Sequence, residues 1–219
     1  MKSMDEQQIS QEILDVCRLL HSRNMLAAAD GNVSYRISDD RILITPTGKH
    51  KAFITADDIA VITLDNRILT GKPSGERLMH LEVYRRCSQA KCVVHAHPPA
   101  AIAWSIARPG LVELPSESLS EVILAVGRIP IIPYARPGTQ SMGDGLKPVL
   151  PSHRVMILAS HGALSWGESL MEAYNGMERL EHSAHILLLA HSLGGLNRLP
   201  PEEIAALREM RRKLGDRNL

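Results

Sequence analysis

The segment KCVVHAHPPAAIAWSIA, residues 91–107, constrains the fold more than any other stretch. Its first half reads as a buried strand. Its second half reads as a helix with Pro98 and Pro99 in the first turn, where a missing N–H costs nothing. A buried strand that passes directly into a helix asks for a sheet with helices packed on it. The strand also ends on His95 and His97, where Val or Ile would be ordinary. An unpaired polar group in a core costs roughly 2–7 kcal/mol, so these imidazoles need partners.

Other segments fit the same layered plan. Residues 5–23 space Ile9, Ile13, Leu14, Val16, Cys17 and Leu20 along one helix face. Residues 32–37 and 41–46 alternate as paired strands around an SDD turn. A short helix capped by Thr55 precedes a hairpin, VITLD then NRILTG. Residues 74–87 read as a helix with Ser74 at its N-cap, 129–135 as a strand, and 154–162 as a strand ending in a loop at His161. A long helix over 168–195 is stopped by Gly194 and Gly195, and prolines open a last helix, PPEEIAALREMRRKL. No repeat or low-complexity linker interrupts the 219 residues. The expectation is one α/β domain over residues 1–219, with a mixed sheet and helices on both faces.

Composition removes several function classes. A formal net charge of +1 offers no footprint for nucleic acid or an anionic membrane, and 3% aromatic residues leave few stacking platforms. No apolar run approaches the ~20 residues of a membrane helix. The polar start, MKSMDEQQIS, has no apolar signal core, and Cys17, Cys87 and Cys92 show no CxxC pattern. These features lead to the expectation of a cytoplasmic protein with free thiols.

Side chains at i and i+2 of a strand share a side, so His95 and His97 point together from the strand end. His161 follows another apolar strand and precedes Gly162. Three neutral imidazoles at neighbouring strand ends suit Zn²⁺ with a position left open. Satisfied core or surface histidines would read the same way. Glu76 stands in a first helical turn, where the helix dipole alone favours a carboxylate, and where it could also serve as ligand or base. ADGNVS, TPTGKHK and KPSGE are polar glycine loops that could hold a phosphate on backbone N–H groups, or be ordinary turns. Lys49, Lys51 and Lys72 lie in or near them, where lysines are usually solvated. His80, one turn after Glu76, reads as a supporting group. His182 and His185 lie three apart on the long helix, and His21, His50, His153 and His191 show no pattern.

GNVS, TPTG, the PSxE-type turn, VVHAH and SHG, in this order, resemble the class II aldolase/adducin family from about residue 8 to about residue 210. The resemblance implies a three-layer αβα sandwich with a central mixed β-sheet. It implies a homotetramer with sites at subunit interfaces. It implies that His95, His97, His161 and Glu76 bind Zn²⁺, or Mn²⁺ or Co²⁺, and that Gly31, Asn32, Thr47, Gly48, Ser74 and Gly75 surround a substrate phosphate. The implied reaction cleaves a ketose 1-phosphate of the L-fuculose, 5-deoxyribulose or methylthioribulose type to dihydroxyacetone phosphate and an aldehyde, with Glu76 as the proton carrier at C3. The alternatives are a decarboxylase, dehydratase or epimerase of the same family. A non-enzymatic adducin-like binding domain is the alternative of another class. The family's epimerases carry Asp where this chain has Glu76, and its adducin heads lack the three histidines present here.

The match departs in places. The family's fuculose-phosphate aldolases have a second serine where this chain has Gly75, and Lys49, replacing an apolar residue there, could compensate. They use a tyrosine before the IPxxPYA strand, where this chain has Leu119 or Ser120, and another near the C-terminus, whereas the last tyrosine here is Tyr174. The expected consequence is a less polar aldehyde side, with no group assigned to take the C4 hydroxyl proton.

Overall fold

The computed structural model describes residues 4–215. Helix α1 (Met4–Ser22) leads into strands β1 (Asn32–Ser38), β2 (Arg41–Ile44), β3 (Ala60–Ile62) and β4 (Ile68–Thr70). Helix α2 (Arg77–Arg86), strand β5 (Cys92–Ala96) and helix α3 (Pro99–Ala107) follow. The chain continues through α4 (Ser120–Ala125), β6 (Ile131–Ile132), α5 (Gln140–Leu146), β7 (Val155–Leu158) and β8 (Gly162–Gly167). It finishes with α6 (Leu170–Ser192) and α7 (Pro201–Leu214). The eight strands form one sheet in the order β4-β3-β2-β1-β5-β8-β7-β6. The β6–β7 pair is parallel and the others are antiparallel, so the sheet is mixed as expected.

Strand alternation builds the two apolar layers. Cys92, Val94 and Ala96 of β5 face a layer shared with α1, α3, α4 and α6. Val93 faces the opposite layer, with Met79, Leu81 and Tyr84 of α2 and Met142 and Leu146 of α5. His95 shares the Val93 face by the two-residue period, so Cys92 points away from it. Strand β5 lies between β1 and β8, with Asn32 opposite His95 on one side and Leu164 opposite it on the other. Among the described residues no helix is long and apolar enough to cross a membrane.

The structure departs from the sequence reading in several elements. The strand expected over 129–135 shrinks to Ile131–Ile132, because Pro130 and Pro133 on either side have no N–H for the ladder. The helix expected at Thr55 is a 3-10 turn over Ala56–Asp58. Ser74 does not cap α2. Its Oγ accepts from Glu76 N at 3.2 Å in a turn that leads into the helix at Arg77. The loop expected after His161 is the tight β7–β8 turn, closed by His161 N donating to Leu158 O at 3.1 Å. Helices α4 and α5 were not anticipated.

Candidate metal centre and active site

The end of β5, the β7–β8 turn and the start of α2 meet on one side of the sheet. The imidazoles of His95, His97 and His161 stand with ring centroids 4.8–5.1 Å apart. Their ligand atoms all lie within 4.8 Å of one another. His95 is fully buried, and its Nδ1 donates to Ala163 O at 2.9 Å. That bond occupies Nδ1 and turns Nε2 toward His97 Nε2, 3.2 Å away. Burial, followed by the charges of His95 and His161, pushes His97 down to about 4, so it is neutral at physiological pH. Three converging imidazoles fit a divalent ion by donor chemistry and spacing.

Glu76 sits against this cluster. Its Oε1 is 3.1 Å from His161 Nε2 and its Oε2 is 3.3 Å from His95 Nε2. Burial raises its pKa, but hydrogen bonds and charge from His161 and His95 outweigh burial and hold the carboxyl well below its ordinary range. Oε2 also accepts from Asn32 Nδ2 at 2.8 Å. Asn32 Oδ1 in turn accepts from His80 Nε2, and Ser34 Oγ donates to His80 Nδ1 at 2.7 Å. Tyr84 OH then donates to Ser34 Oγ at 2.7 Å. Burial, then the charge of His95, pushes His80 down to about 3, against the opposing pull of Glu76. A neutral His80 satisfies both neighbours at once, so the direction of every bond in the chain is determined.

A cavity of about 440 Å³ opens beside Glu76. Gly31, Asn32, Thr47, Gly48, Ser74, Gly75, Glu76, His97 and His161 line it, and His95 lies behind them. The six residues expected around a phosphate, Gly31, Asn32, Thr47, Gly48, Ser74 and Gly75, are therefore brought to one place, whereas Lys49 and Lys72 do not line the cavity. Their chemistry is not uniform. Thr47 N donates to Lys72 O and Ser74 N to Thr45 O, both at 3.1 Å, so these two residues offer the cavity their hydroxyls. The Asn32 amide is committed to Glu76 and His80.

Five lining residues were not foreseen as such: Ala29, Asp30, Lys51, Pro137 and Gly138. Asp30 Oδ2 lies 3.8 Å from His97 Nδ1. Lys51 overturns the expectation of a solvated loop lysine, being only 2% exposed. Burial lowers its pKa, and the charges of Asp30 and Glu76 counter part of that shift. Lys49, the cation expected to compensate for Gly75, instead pairs with Asp58. Pro137 and Gly138 carry a turn signal, RPG, with no chemistry of its own.

The remaining histidines do other work. His182 and His185 line a separate cavity of about 490 Å³ with Glu181, whose carboxylate accepts from Ala100 N at 2.9 Å and caps α3. Among the described residues they join no metal-holding cluster. Leu119 packs on the apolar layer of its own chain, and Tyr174 OH donates to Glu178 at 3.0 Å.

Residues 11–188 match the family described as Class II Aldolase and Adducin N-terminal domain. The chain belongs to the class II aldolase/adducin family. Two relatives of this family match it over most of its length. A 3-oxo-tetronate 4-phosphate decarboxylase of Escherichia coli (strain CFT073) is 33% identical over 93% of this chain and 96% of its own. An L-fuculose phosphate aldolase of Methanococcus vannielii is 33% identical over 80% of this chain and 93% of its own. The crystal structure of YgbL from Escherichia coli superposes with a TM-score of 0.86 at 31% identity, over 93% of this chain and 99% of that one. The class II aldolase/adducin fold is thus an α/β fold here, and members of the family act on sugar phosphates with a bound metal.

Proposed function

We propose that the protein is a metal-dependent carbon–carbon lyase that decarboxylates a phosphorylated 3-oxo sugar acid, the substrate type of its 3-oxo-tetronate 4-phosphate decarboxylase relative. The observation that carries the reading is Glu76, seated between His95 and His161 at the edge of a cavity walled by glycine loops. His95, His97 and His161 would hold Zn²⁺, or Mn²⁺ or Co²⁺, with Glu76 beside it. When bound, such an ion supplies a Lewis acid for the 3-oxo group.

The substrate phosphate would rest among Gly31, Thr47, Gly48, Ser74 and Gly75. Asn32, expected at the phosphate, is assigned instead to holding Glu76. Loss of C1 as carbon dioxide leaves the bonding electron pair at C2. Glu76, a carboxylate, would relay a proton from a water molecule to C2, and the hydroxide left behind would combine with the released carbon dioxide as bicarbonate. For a 3-oxo-tetronate 4-phosphate the product is dihydroxyacetone phosphate.

Decarboxylation asks the protein for one proton donor, whereas aldol cleavage also needs a base for the C4 hydroxyl. Among the described residues lining the cavity no tyrosine fills that second role. Aldol cleavage of a ketose 1-phosphate is the second reading, favoured by the Methanococcus vannielii relative, with Asp30 as the base available in the cavity. We propose further that residues 1–219 act as one domain in a cytoplasmic homotetramer.

The test is a product assay with metal-loaded enzyme. Carbon dioxide from 3-oxo-tetronate 4-phosphate, at a kcat/KM at least tenfold above aldehyde release from L-fuculose or 5-deoxyribulose 1-phosphate, supports the first reading. The reverse ratio establishes aldol cleavage. Neither product would overturn both.

A further inference from the structure

We propose that Lys51 sets the specificity of this cavity for a phosphate dianion, by placing a buried positive charge beneath the glycine loops. The inference rests on the phosphate-bearing substrate proposed above.

The charge inventory of the cavity motivates it. Among the described residues lining the cavity, Lys51 is the only Lys or Arg, while Asp30 and Glu76 are both carboxylates. A cation on the three histidines would offset Glu76 at one end. At the loop end a phosphate would otherwise meet Asp30 with no opposing charge. Lys49 cannot serve, because its ammonium is held by Asp58.

The placement of Lys51 is as informative as its charge. Its Nζ donates to Ala29 O at 2.7 Å and to Lys49 O at 2.9 Å. An ammonium has three N–H donors, so two are fixed and one remains for an anion or a water. The two carbonyls belong to different loops, one leading to Gly31 and the other following Gly48. One side chain therefore ties together the two loops whose glycines face the cavity. Both partners are neutral carbonyls. A neutral donor would join the loops without the cost of burying a charge, so the tether alone does not account for a lysine here.

Calorimetric titration of the metal-loaded protein separates charge from tether. The probes are inorganic phosphate, for the loop end, and acetohydroxamate, a phosphate-free chelator, for the metal end. Lys51→Met should weaken phosphate binding on the order of 10- to 100-fold, the range of a hydrogen bond to a charged group, and leave acetohydroxamate binding unchanged. Lys51→Gln keeps a donor for the loop carbonyls and lacks the charge. It should lose phosphate affinity similarly, and it decides the matter if Lys51→Met does not fold. Equal weakening of both probes, or full phosphate affinity in Lys51→Gln, would overturn the proposal by reducing Lys51 to a tether. A wild-type protein that binds acetohydroxamate but no phosphate would overturn the phosphate reading itself, and the Lys51 inference with it.

Discussion

Asn32 Nδ2 donates to Glu76 Oε2 at 2.8 Å across 44 residues of sequence, and this bond is the last link of a buried chain running back to Tyr84. Each link orients the next. Tyr84 turns the Ser34 hydroxyl toward His80 Nδ1, which leaves Nε2–H for Asn32 Oδ1. The amide can then present only its NH₂ group to Glu76. A carboxylate held this way keeps one oxygen in register with the histidine cluster while the other stays near His161.

Replacement of Asn32 by Leu tests that arrangement. The variant removes a hydrogen bond to a charged group, worth about 1.5–3 kcal/mol. Turnover should fall roughly 10- to 100-fold while metal content, read by elemental analysis, stays at the wild-type level. Unchanged turnover would show that Glu76 needs no such support.

The same chain predicts a pH dependence of stability. His80 is held at about 3, below its ordinary value of 6.5. Between these values the unfolded chain binds a proton that the folded chain does not, so stability falls as pH drops from about 6.5 toward 3 and is fully present above 6.5. At pH 5 the loss from this residue is about 2 kcal/mol relative to pH 7. Urea unfolding of wild type and His80→Gln at both pH values isolates it. The variant should be less stable at pH 7 and show a shallower pH slope. Parallel slopes would mean that His80 titrates normally in the fold.

Glu76→Gln keeps the size of the side chain and removes the proton carrier. It should fold and hold metal, and lose roughly 10²- to 10⁴-fold in turnover, the range of general acid–base catalysis. Exchange of the carbon-bound proton of dihydroxyacetone phosphate with solvent, followed by NMR, reads that step alone. Wild-type exchange would remove Glu76 from the role.

The cluster was legible where a local period recorded it. His95 and His97 share a strand face, so HxH at a strand end already implied converging imidazoles. His161 was placed by the apolar run before it. What followed was less legible. Strand β8, GALSWG, mixes small and polar residues because it runs through the sheet centre between β5 and β7, where Trp166 and Leu164 face one layer and Ala163 the other. No alternation of apolar and polar residues marks such a strand. The burial of Lys51 had no local signature either. It depends on two loop carbonyls, one of them 22 residues earlier in the chain. The resemblance placed Asn32 at the phosphate; its bonds to His80 and Glu76 had no local signature, because both partners lie far away in sequence.

His97→Ala bears on the metal reading directly. It removes one of three converging donors, and the remaining two imidazoles and Glu76 make a poorer site. Elemental analysis after dialysis should show loss of most of the metal, with activity falling in parallel. Full metal content together with full turnover would dismiss the triad as the metal site.

Gly162→Ala probes the packing that sets the imidazoles. A Cβ at this position would lie 2.5 Å from Ala96 O, 2.8 Å from His95 Cε1 and 3.0 Å from His97 Cδ2. The backbone oxygen cannot move without disturbing the β5–β8 ladder, where Ala96 pairs with Ala163. The imidazoles can yield only by turning away from their shared focus, and His95 would then strain its bond to Ala163 O. Overpacking of this kind typically costs 1–3 kcal/mol. The variant should therefore unfold at lower temperature and bind metal more weakly than wild type, in contrast to Gly75→Ala, where a Cβ meets nothing within 4 Å. Thermal melts and metal titration of the two variants side by side give the comparison. A Gly162→Ala protein with wild-type metal affinity would mean that the histidines tolerate a displaced β8, and that the close approach of Gly162 serves the sheet alone.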